Sequence, residues 1–342
     1  MFACYCRIKT DKGCLYMVEF PAATMIEIQG RPFEIFEAGA PSDGLNNRTT
    51  IVLCHGFPEL AYSWRYQVQP LVDAGFHVLM PNQRGYGRSY RPNDIESYDI
   101  HHLTNDLRLL LDYFNIDQAY FIGHDWGALV VWQLGLLHPD RLLGIGALSV
   151  PFMPRSTEDP ITLWERILGP DFYIVHFNRQ FAVADKIFEA NCAQFLRNLY
   201  RTRLWQASDA LANTDGNTAT GMMLIQLADA KTPSGDPIMS EAELAVFIDA
   251  FQHSGFSAAI NWYRNFSRNW ATTPSIVQRI IHPSLMIYGQ YDIVPQAANM
   301  SDYVANLETH TIAACGHWIQ QEKPDEVNQI LLRWLAKTEQ AR

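Results

Sequence analysis

An aspartate between two glycines carries the strongest chemical signal in the sequence. Asp125 stands at the centre of a Gly-x-Asp-x-Gly pattern formed with Gly123 and Gly127. Residues 119–122 predict a buried strand and residues 128–138 an apolar helix. The pattern therefore fits a sharp strand-to-helix turn with an exposed central side chain, although taken alone it also fits a plain turn. A carboxylate in such an elbow attacks a saturated electrophilic carbon and forms an alkyl ester, which water must then hydrolyse.

Two later residues stand where the partners of such a nucleophile belong. Asp292 follows a predicted buried strand at residues 283–289, and His317 lies in a loop after a predicted strand at residues 307–312. Either residue alone would fit an ordinary loop position. With Asp125 they follow the chain order nucleophile, acid, base, in which the acid orients the histidine and the histidine activates water. The sequence therefore predicts a catalytic triad.

A His-Gly-Phe-Pro segment follows the predicted strand at residues 50–54. In elbow enzymes, the loop after this strand and the residue after the nucleophile each offer a backbone N–H to a developing oxyanion. Here these donors are predicted to be Phe57 and Trp126. Pro58 leaves the donor of Phe57 in place, because the missing N–H is one residue further on. We interpret the side chain of His55 as structural and bonded to backbone.

Strands and helices alternate over most of the chain, which predicts a parallel sheet with helices on both faces. The sequence opens with a predicted hairpin at residues 25–36, and polar loops are predicted at residues 41–47 and 231–237. Amphipathic helices are predicted at residues 99–115, with Asp99 as N-cap, and at residues 324–337.

Mainly helical and aromatic sequence interrupts this alternation. It predicts an inserted domain over Asp125. The predicted organisation is a core of residues 1–154 and 276–342, with the insertion at residues 155–275.

Several segments together resemble the soluble epoxide hydrolases of the α/β-hydrolase superfamily, the branch with an aspartate nucleophile. The matching segments are His55-Gly56-Phe57-Pro58-Glu59, Ser63-Trp64-Arg65-Tyr66-Gln67, Arg84-Gly85-Tyr86-Gly87, residues 121–127, Asn261-Trp262-Tyr263-Arg264-Asn265 and Cys315-Gly316-His317-Trp318. The resemblance covers nearly the whole chain. It implies an α/β-hydrolase fold with a mostly parallel central sheet and an inserted, mainly helical cap domain. It also implies hydrolysis of an epoxide to a vicinal diol without a cofactor.

Epoxide opening expels an alkoxide, so a proton donor must face the nucleophile. The resemblance implies two cap tyrosines for this task. Tyr263 matches one of them. Tyr173 fits the other through a Tyr-Ile-x-x-Phe pattern, although the Gln-x-Pro-Gly that follows in the family is absent here, and His176 is an alternative donor. A phenol suits the role because it stays protonated at neutral pH yet hydrogen-bonds strongly to an alkoxide.

Two alternatives remain open at the level of sequence. A haloalkane or haloacid dehalogenase would share the aspartate and the triad but must hold a departing halide. Haloalkane dehalogenases usually carry Asn at the position of Phe57, and fluoroacetate dehalogenases usually carry Arg at the position of Trp126. The second alternative is a non-catalytic ligand-binding protein on the same scaffold, against which the presence of all three triad residues argues.

Composition limits the partners. The chain has 342 residues and a formal net charge of −10, which disfavours binding to nucleic acid or anionic membrane surfaces. No apolar run reaches the roughly 18 residues of a membrane span, and residues 1–20 lack the apolar stretch of a secretory signal. The expected partner is a small apolar epoxide, and the sequence specifies no oligomeric state.

The six cysteines match no spacing of a zinc site or disulfide framework, so reduced thiols in a cytoplasmic protein are expected. They are Cys4, Cys6, Cys14, Cys54, Cys192 and Cys315.

Overall fold

The computed structural model describes residues 5–9, 15–40, 48–202, 223–231 and 235–342 of the chain. Some sequence predictions lie outside these residues. They are the polar loop at residues 41–47, residues 232–234 of the second predicted loop, Cys4, Cys14 and the side chain of Cys6.

Eight strands form one sheet in the order β10-β9-β8-β7-β5-β6-β4-β3, and β1 pairs with β2 in a separate antiparallel hairpin. The strands are β1 Tyr5–Lys9, β2 Leu15–Glu19, β3 Ala23–Ile28, β4 Arg31–Ala38, β5 Thr50–Cys54, β6 His77–Asn82, β7 Ala119–His124, β8 Leu142–Leu148, β9 Ile280–Gly289 and β10 Val304–Ile312. The strands from β10 to β6 run parallel, and β4 and β3 add an antiparallel edge. This arrangement confirms the predicted mostly parallel sheet and the opening hairpin.

Thirteen α-helices lie within the described ranges. They are α1 Arg65–Asp73, α2 Ile100–Tyr113, α3 Trp126–Leu137, α4 Pro160–Leu168, α5 Tyr173–Arg179, α6 Val183–Ala190, α7 Cys192–Leu199, α8 Met223–Gln226, α9 Glu241–Ser254, α10 Ser257–Arg264, α11 Phe266–Thr272, α12 Ile319–Glu322 and α13 Pro324–Gln340. Helices α2 and α3 pack together, as do α1 and α13, and each pair contacts the sheet. The two pairs therefore cover opposite faces, as predicted.

Local sequence signals explain where individual helices begin. Asp99 is the N-cap of α2 as predicted, and its Oδ1 accepts a hydrogen bond from the backbone N–H of His102 at 3.0 Å. Ser240 and Glu243 form a reciprocal capping box at the start of α9. The final helix α13 begins at Pro324, and its predicted apolar face is buried.

The helices α4 to α11 lie between β8 and β9 and form the helical cap. Three buried or half-buried contacts fix the cap to the core. Arg65 of α1 bonds Glu243 of α9 at 2.9 Å, and the indole of Trp262 on α10 donates to the carbonyl of Arg84 at 3.1 Å. Arg268 of α11 donates to the α2 cap residue Asp99 at 2.9 Å. The cap is therefore attached close to the carboxyl ends of the parallel strands, where the predicted site residues lie.

Candidate active site

Asp125 occupies the turn between β7 and α3 with φ of +51° and ψ of −118°. This left-handed region is uncommon for a non-glycine residue, and such backbone strain is characteristic of a nucleophile elbow. The flanking glycines are required by close backbone approach. A Cβ on Gly123 would overlap the backbone of Gly127, and a Cβ on Gly127 would overlap the carbonyl oxygen of Cys54 on β5.

Backbone donors from two loops hold the Asp125 carboxylate. The N–H of Phe57 donates to Oδ1 at 2.7 Å, and the N–H of Trp126 lies close enough to this side chain to influence its pKa. Burial raises the pKa of Asp125, while the positive charges of His317 and His124 and the two backbone N–H groups oppose that rise. Both N–H groups predicted for an oxyanion hole therefore lie beside the Asp125 carboxylate.

His317 and Asp292 lie in the loops after β10 and β9. His317 Nδ1 lies 2.9 Å from Asp292 Oδ1, which also accepts the backbone N–H of Val294 at 3.0 Å. On the other side of the ring, Nε2 faces Asp125 Oδ2 at 3.7 Å, which is longer than a hydrogen bond. The structure thus brings together all three residues of the predicted triad.

The charges in this cluster are strongly coupled. Burial disfavours the imidazolium of His317, but the carboxylates of Asp292 and Asp125 outweigh burial and raise its pKa to about 9. Burial likewise opposes ionisation of Asp292, but the charge and hydrogen bond of His317 lower the pKa of this carboxyl. In the free protein at neutral pH, a cationic His317 therefore lies between two carboxylates.

Two cap tyrosines face this cluster across a cavity of about 50 Å³. Tyr173 of α5 and Tyr263 of α10 line it together with Asp125 and His317, and their rings lie 5.8 Å apart. The hydroxyl of Tyr263 is close enough to Tyr173 to oppose part of the rise in the pKa of Tyr173. Burial and the Asp125 charge raise the pKa of both tyrosines, so both phenols stay protonated.

The indole of Trp126 also belongs to the wall around Asp125. Its ring lies 5.0 Å from that of Tyr263 at near right angles, and its indole N–H is near enough to lower the pKa of the Tyr263 hydroxyl. The phenyl ring of Phe57 packs against the other side of Tyr263 at 5.2 Å. Aromatic packing thus fixes the ring of Tyr263 above the nucleophile.

Two other histidines near the motifs do not reach the carboxylate. His176, the alternative proton donor, is not among the residues lining the cavity, and its buried Nδ1 has no hydrogen-bond partner among the described residues. His55 Nε2 accepts the backbone N–H of Gln83 at 3.0 Å, and its Nδ1 donates to the carbonyl of Gly56. Burial lowers the pKa of His55 to about 4, so this ring is neutral and structural as predicted.

A larger cavity of about 230 Å³ lies between α3, α4 and α11, away from the cluster. The ring of Phe266, one of its lining residues, packs at 4.9 Å against Trp126, which separates the larger cavity from Asp125. Size alone would favour this cavity as the reaction site. The small cavity is the better candidate, because it is lined by the predicted nucleophile, base and proton donors together.

Comparison with known proteins agrees with this geometry. The profile of the alpha/beta hydrolase fold family matches residues 49–324. "Epoxide hydrolase A" of Mycobacterium tuberculosis is 38% identical over 331 residues, which cover 93% of this chain and 98% of that relative. The chain belongs to the epoxide hydrolases of the α/β-hydrolase fold family.

Two further epoxide hydrolases show the extent of the likeness. The crystal structure of Epoxide Hydrolase A from Mycobacterium thermoresistibile is 37% identical and superposes with a TM-score of 0.83 over 92% of this chain and 98% of that chain. "Bifunctional epoxide hydrolase 2" of Rattus norvegicus is 38% identical over 84% of this chain, which spans only 52% of that relative.

Sequence analysis of this epoxide hydrolase missed a buried polar pair beside the triad. Glu59 directly follows the His-Gly-Phe-Pro segment and His124 directly precedes the nucleophile, and the two side chains meet at 2.7 Å. Their only sequence signal is this adjacency to Pro58 and Asp125. Where the structure describes the chain, no group of His, Cys, Asp or Glu side chains is arranged to hold a metal ion. The described helices also include none with the length and apolarity of a membrane span.

Proposed function

We propose that the protein hydrolyses an epoxide to a vicinal diol through an alkyl ester on Asp125. The observation that carries this proposal is the placement of two protonated tyrosines, Tyr173 and Tyr263, in the same small cavity as a nucleophilic carboxylate. An ester or amide substrate would need no acid on that side of the cavity. An epoxide does, because its leaving group is an alkoxide that stays attached to the product.

In the first step, Asp125 attacks a ring carbon while Tyr263 and Tyr173 donate to the epoxide oxygen. We assign the attack to the Asp125 oxygen that does not accept the N–H of Phe57. Oδ1 accepts the N–H of Phe57, whereas Oδ2 faces His317 at 3.7 Å. Oδ2 is therefore assigned as the attacking oxygen, and Oδ1 becomes the carbonyl oxygen of the ester.

In the second step, His317 activates a water molecule that attacks the ester carbonyl carbon of Asp125. The tetrahedral intermediate places negative charge on Oδ1, which already accepts the N–H of Phe57, and the N–H of Trp126 beside the carboxylate is the second predicted donor. Asp292 holds the Nδ1 proton of His317 and stabilises the imidazolium that forms. Collapse of the intermediate releases the diol and restores the carboxylate.

The geometry gives little support to the dehalogenase alternative. A halide would need two donors beside the attacked carbon, but the side chain of Phe57 has no donor, which leaves only the indole N–H of Trp126. A purely ligand-binding role leaves the arrangement of Asp125, Asp292 and His317 without a purpose.

The proposal includes the wider properties expected from the sequence. The substrate is an apolar epoxide, because aromatic and aliphatic side chains dominate the cavity around the four polar groups, and the mechanism uses no cofactor. We assign residues 1–154 and 276–342 to the core and residues 155–275 to the cap. A reducing, cytoplasmic location suits Cys54, Cys192 and Cys315, which are free thiols buried in the fold.

A panel of aryl and alkyl epoxides tests this function. Purified protein is expected to convert at least one of them to its vicinal diol, and Asp125→Ala is expected to form none above background. Short haloalkanes and fluoroacetate serve as the comparison substrates, from which no halide release is expected. Halide release without diol formation would assign the protein to the dehalogenases, and no turnover of either class would support a binding role.

A further inference from the structure

The two cap helices that carry the tyrosines exchange hydrogen bonds near their C-terminal ends. The side chain of Asn178 on α5 donates through Nδ2 to the backbone carbonyl of Tyr263 on α10 at 3.0 Å. In return, Arg264 of α10 donates through Nε to the backbone carbonyl of Phe177 on α5 at 3.2 Å. Both carbonyls lie in the last turn of a helix, where carbonyl groups commonly need a partner from outside that helix. Each helix therefore supplies a donor to the end of the other.

A single nitrogen connects the main chain at the two tyrosine positions. Asn178 Nδ2 also donates to the backbone carbonyl of Ile174 at 2.8 Å, and Ile174 directly follows Tyr173. The main chain beside Tyr173 and the main chain of Tyr263 therefore accept hydrogen bonds from the same amide group. Because its two N–H donors lie at a fixed angle, this amide holds the two carbonyls at one separation.

The arginine of the exchange is anchored in the interior of the cap. The side chains of Arg264 and Asp185 are 6% and 3% exposed, and two hydrogen bonds of 3.1 and 2.5 Å join them. Burial opposes ionisation of Asp185, but the hydrogen bonds and charge of Arg264 lower the pKa of this carboxyl. The bidentate pair orients the planar guanidinium, so that its Nε points at the Phe177 carbonyl.

The rings of the two tyrosines differ in what they pack against. Tyr263 lies against the core residues Phe57 and Trp126, at ring distances of 5.2 and 5.0 Å. Among the ring contacts in the described part of the chain, Tyr173 packs only against cap rings, at 5.0 to 5.8 Å. The core therefore holds Tyr263, whereas the position of Tyr173 relative to it depends on how α5 is attached to α10.

We propose that Asn178 and Arg264 are positioning residues that set the spacing of the two phenols for ring opening. This inference rests on the proposed two-step function. An epoxide oxygen can accept hydrogen bonds from both phenols only when the two hydroxyls reach the same atom. Hydrolysis of the ester uses His317 and the backbone donors of the core and needs no such spacing. Misplacement of a catalytic group by about 1 Å costs on the order of 10²-fold in rate.

Rapid-quench kinetics with mass measurement of the intact protein separates the two steps. Asn178→Leu, which removes the amide at similar volume, is expected to slow alkylation about 10²-fold and to leave the rate of ester hydrolysis near that of the wild type. Asn178→Gln is expected to regain part of the alkylation rate, because its amide can still donate to a carbonyl of α10. Arg264→Lys is expected to slow alkylation as well, since an ammonium group lacks the planar fork that bonds Asp185 and Phe177 together.

A variant with one phenol shows whether Asn178 acts through the spacing. In Tyr173→Phe only one of the two proton donors remains, so there is no pair of phenols to space. Adding Asn178→Leu to Tyr173→Phe is therefore expected to slow alkylation much less than adding it to the wild type. A general loss of cap packing would instead slow alkylation by the same factor in both backgrounds.

The matched control is Asn198→Leu. Asn198 on α7 is buried and also donates through one amide nitrogen to two backbone carbonyls, those of Leu227 and Ala230, at 2.8 and 2.9 Å. Both bonds lie within the cap, but neither involves α5 or α10. Loss of this amide is expected to lower the melting temperature without changing the ratio of the two step rates.

The outcomes distinguish this inference from the function on which it rests. Tyr263→Phe and Tyr173→Phe should each slow alkylation, and wild-type alkylation rates in both would contradict the proposed function. If both slow alkylation but Asn178→Leu does not, the positioning role is wrong. It is also wrong if Asn178→Leu slows both steps equally, if Asn178→Gln is no faster than Asn178→Leu, or if the loss is the same in the Tyr173→Phe background. Should Asn178→Leu not fold, Arg264→Lys in the same two backgrounds decides by the same comparison.

Discussion

At the scale of single residues, the proposed mechanism depends on the charges around His317 before and after Asp125 is alkylated. Despite burial, the carboxylates of Asp292 and Asp125 raise the pKa of His317 to about 9 in the free protein, which makes it a cation at neutral pH. Ester formation converts Asp125 into a neutral group and removes one of the two stabilising charges. The pKa of His317 must then fall, so the ring becomes a base at the stage where a base is required.

This change in charge predicts the pH dependence of the second step. Neutral His317 is the active form, so the rate of ester hydrolysis should rise with pH and level off through a midpoint below 9. Decay of the alkyl-enzyme in single turnovers, followed over a range of pH, measures this midpoint. NMR titration of His317 in the unreacted protein provides the reference, and a hydrolysis midpoint at or above that reference would refute the assigned change of charge.

The acid role of Tyr263 predicts a defect confined to ring opening. Tyr263→Phe keeps the aromatic packing against Phe57 and Trp126 but removes the proton donor. The alkylation rate should fall by roughly 10²–10⁴, which is the usual contribution of a positioned general acid. Tyr120→Phe is the control, because its hydroxyl bonds Glu339 and is absent from the cavity lining. An unchanged alkylation rate in Tyr263→Phe would remove this residue from the mechanism.

Sequence patterns predicted which residues form the site better than they predicted the contacts between those residues. Asp125, Asp292 and His317 each follow a predictable strand, so their arrival at one edge of the sheet was predictable. The pair of Glu59 and His124 was not, because its partners are 65 residues apart and the pairing depends on how deeply the two loops are buried. Distances such as those around His317 depend on packing that no local pattern encodes.

At the scale of elements, the elbow is defined by the close approach of α3 to β5. A Cβ on Gly127 would meet the backbone of Cys54, which cannot move without disturbing the sheet. Gly135 lies in the same helix, but there a Cβ would meet only the end of the Ile145 side chain, at 2.7 Å. The two positions therefore allow the same substitution to be compared against a rigid and a movable neighbour.

Gly127→Ala is expected to lower the free energy of unfolding by about 3 kcal/mol or more, because the helix must shift relative to the strand. Gly135→Ala is expected to cost about 1 kcal/mol or less, since Ile145 can change rotamer and alanine favours a helix by roughly 0.5–1 kcal/mol over glycine. Denaturant unfolding of both variants measures the difference. If both variants lose the same free energy of unfolding, contact between the helix and strand backbones does not determine the shape of the elbow.

The elements themselves were largely predictable. Strand β5 occupies the predicted residues 50–54, while α2 and α13 match the predicted helices to within a few residues, because period and N-caps define them. Strand β9 begins at Ile280, earlier than predicted, because pairing with β10 extends it through the partly exposed residues 280–282. The relative placement of the cap helices is set by contacts such as that between Trp262 and Arg84, which join distant parts of the chain.

At the scale of the whole molecule, the proposed mechanism draws on both core and cap. In it, the core supplies the nucleophile, the acid–base pair and the backbone donors, and the cap supplies the two tyrosines from α5 and α10. The reaction space lies between them and is lined mainly by apolar side chains. Such a closed space suits a covalent mechanism, because water must be kept from the epoxide until the ester has formed.

The origin of the new oxygen tests the covalent mechanism most directly. With enzyme in excess over epoxide in ¹⁸O-labelled water, the first turnover should give unlabelled diol, because the transferred oxygen comes from Asp125. The label should appear instead in the peptide that contains Asp125, introduced by the water that His317 activates. Labelled diol together with an unlabelled peptide would contradict the account and make Asp125 a general base.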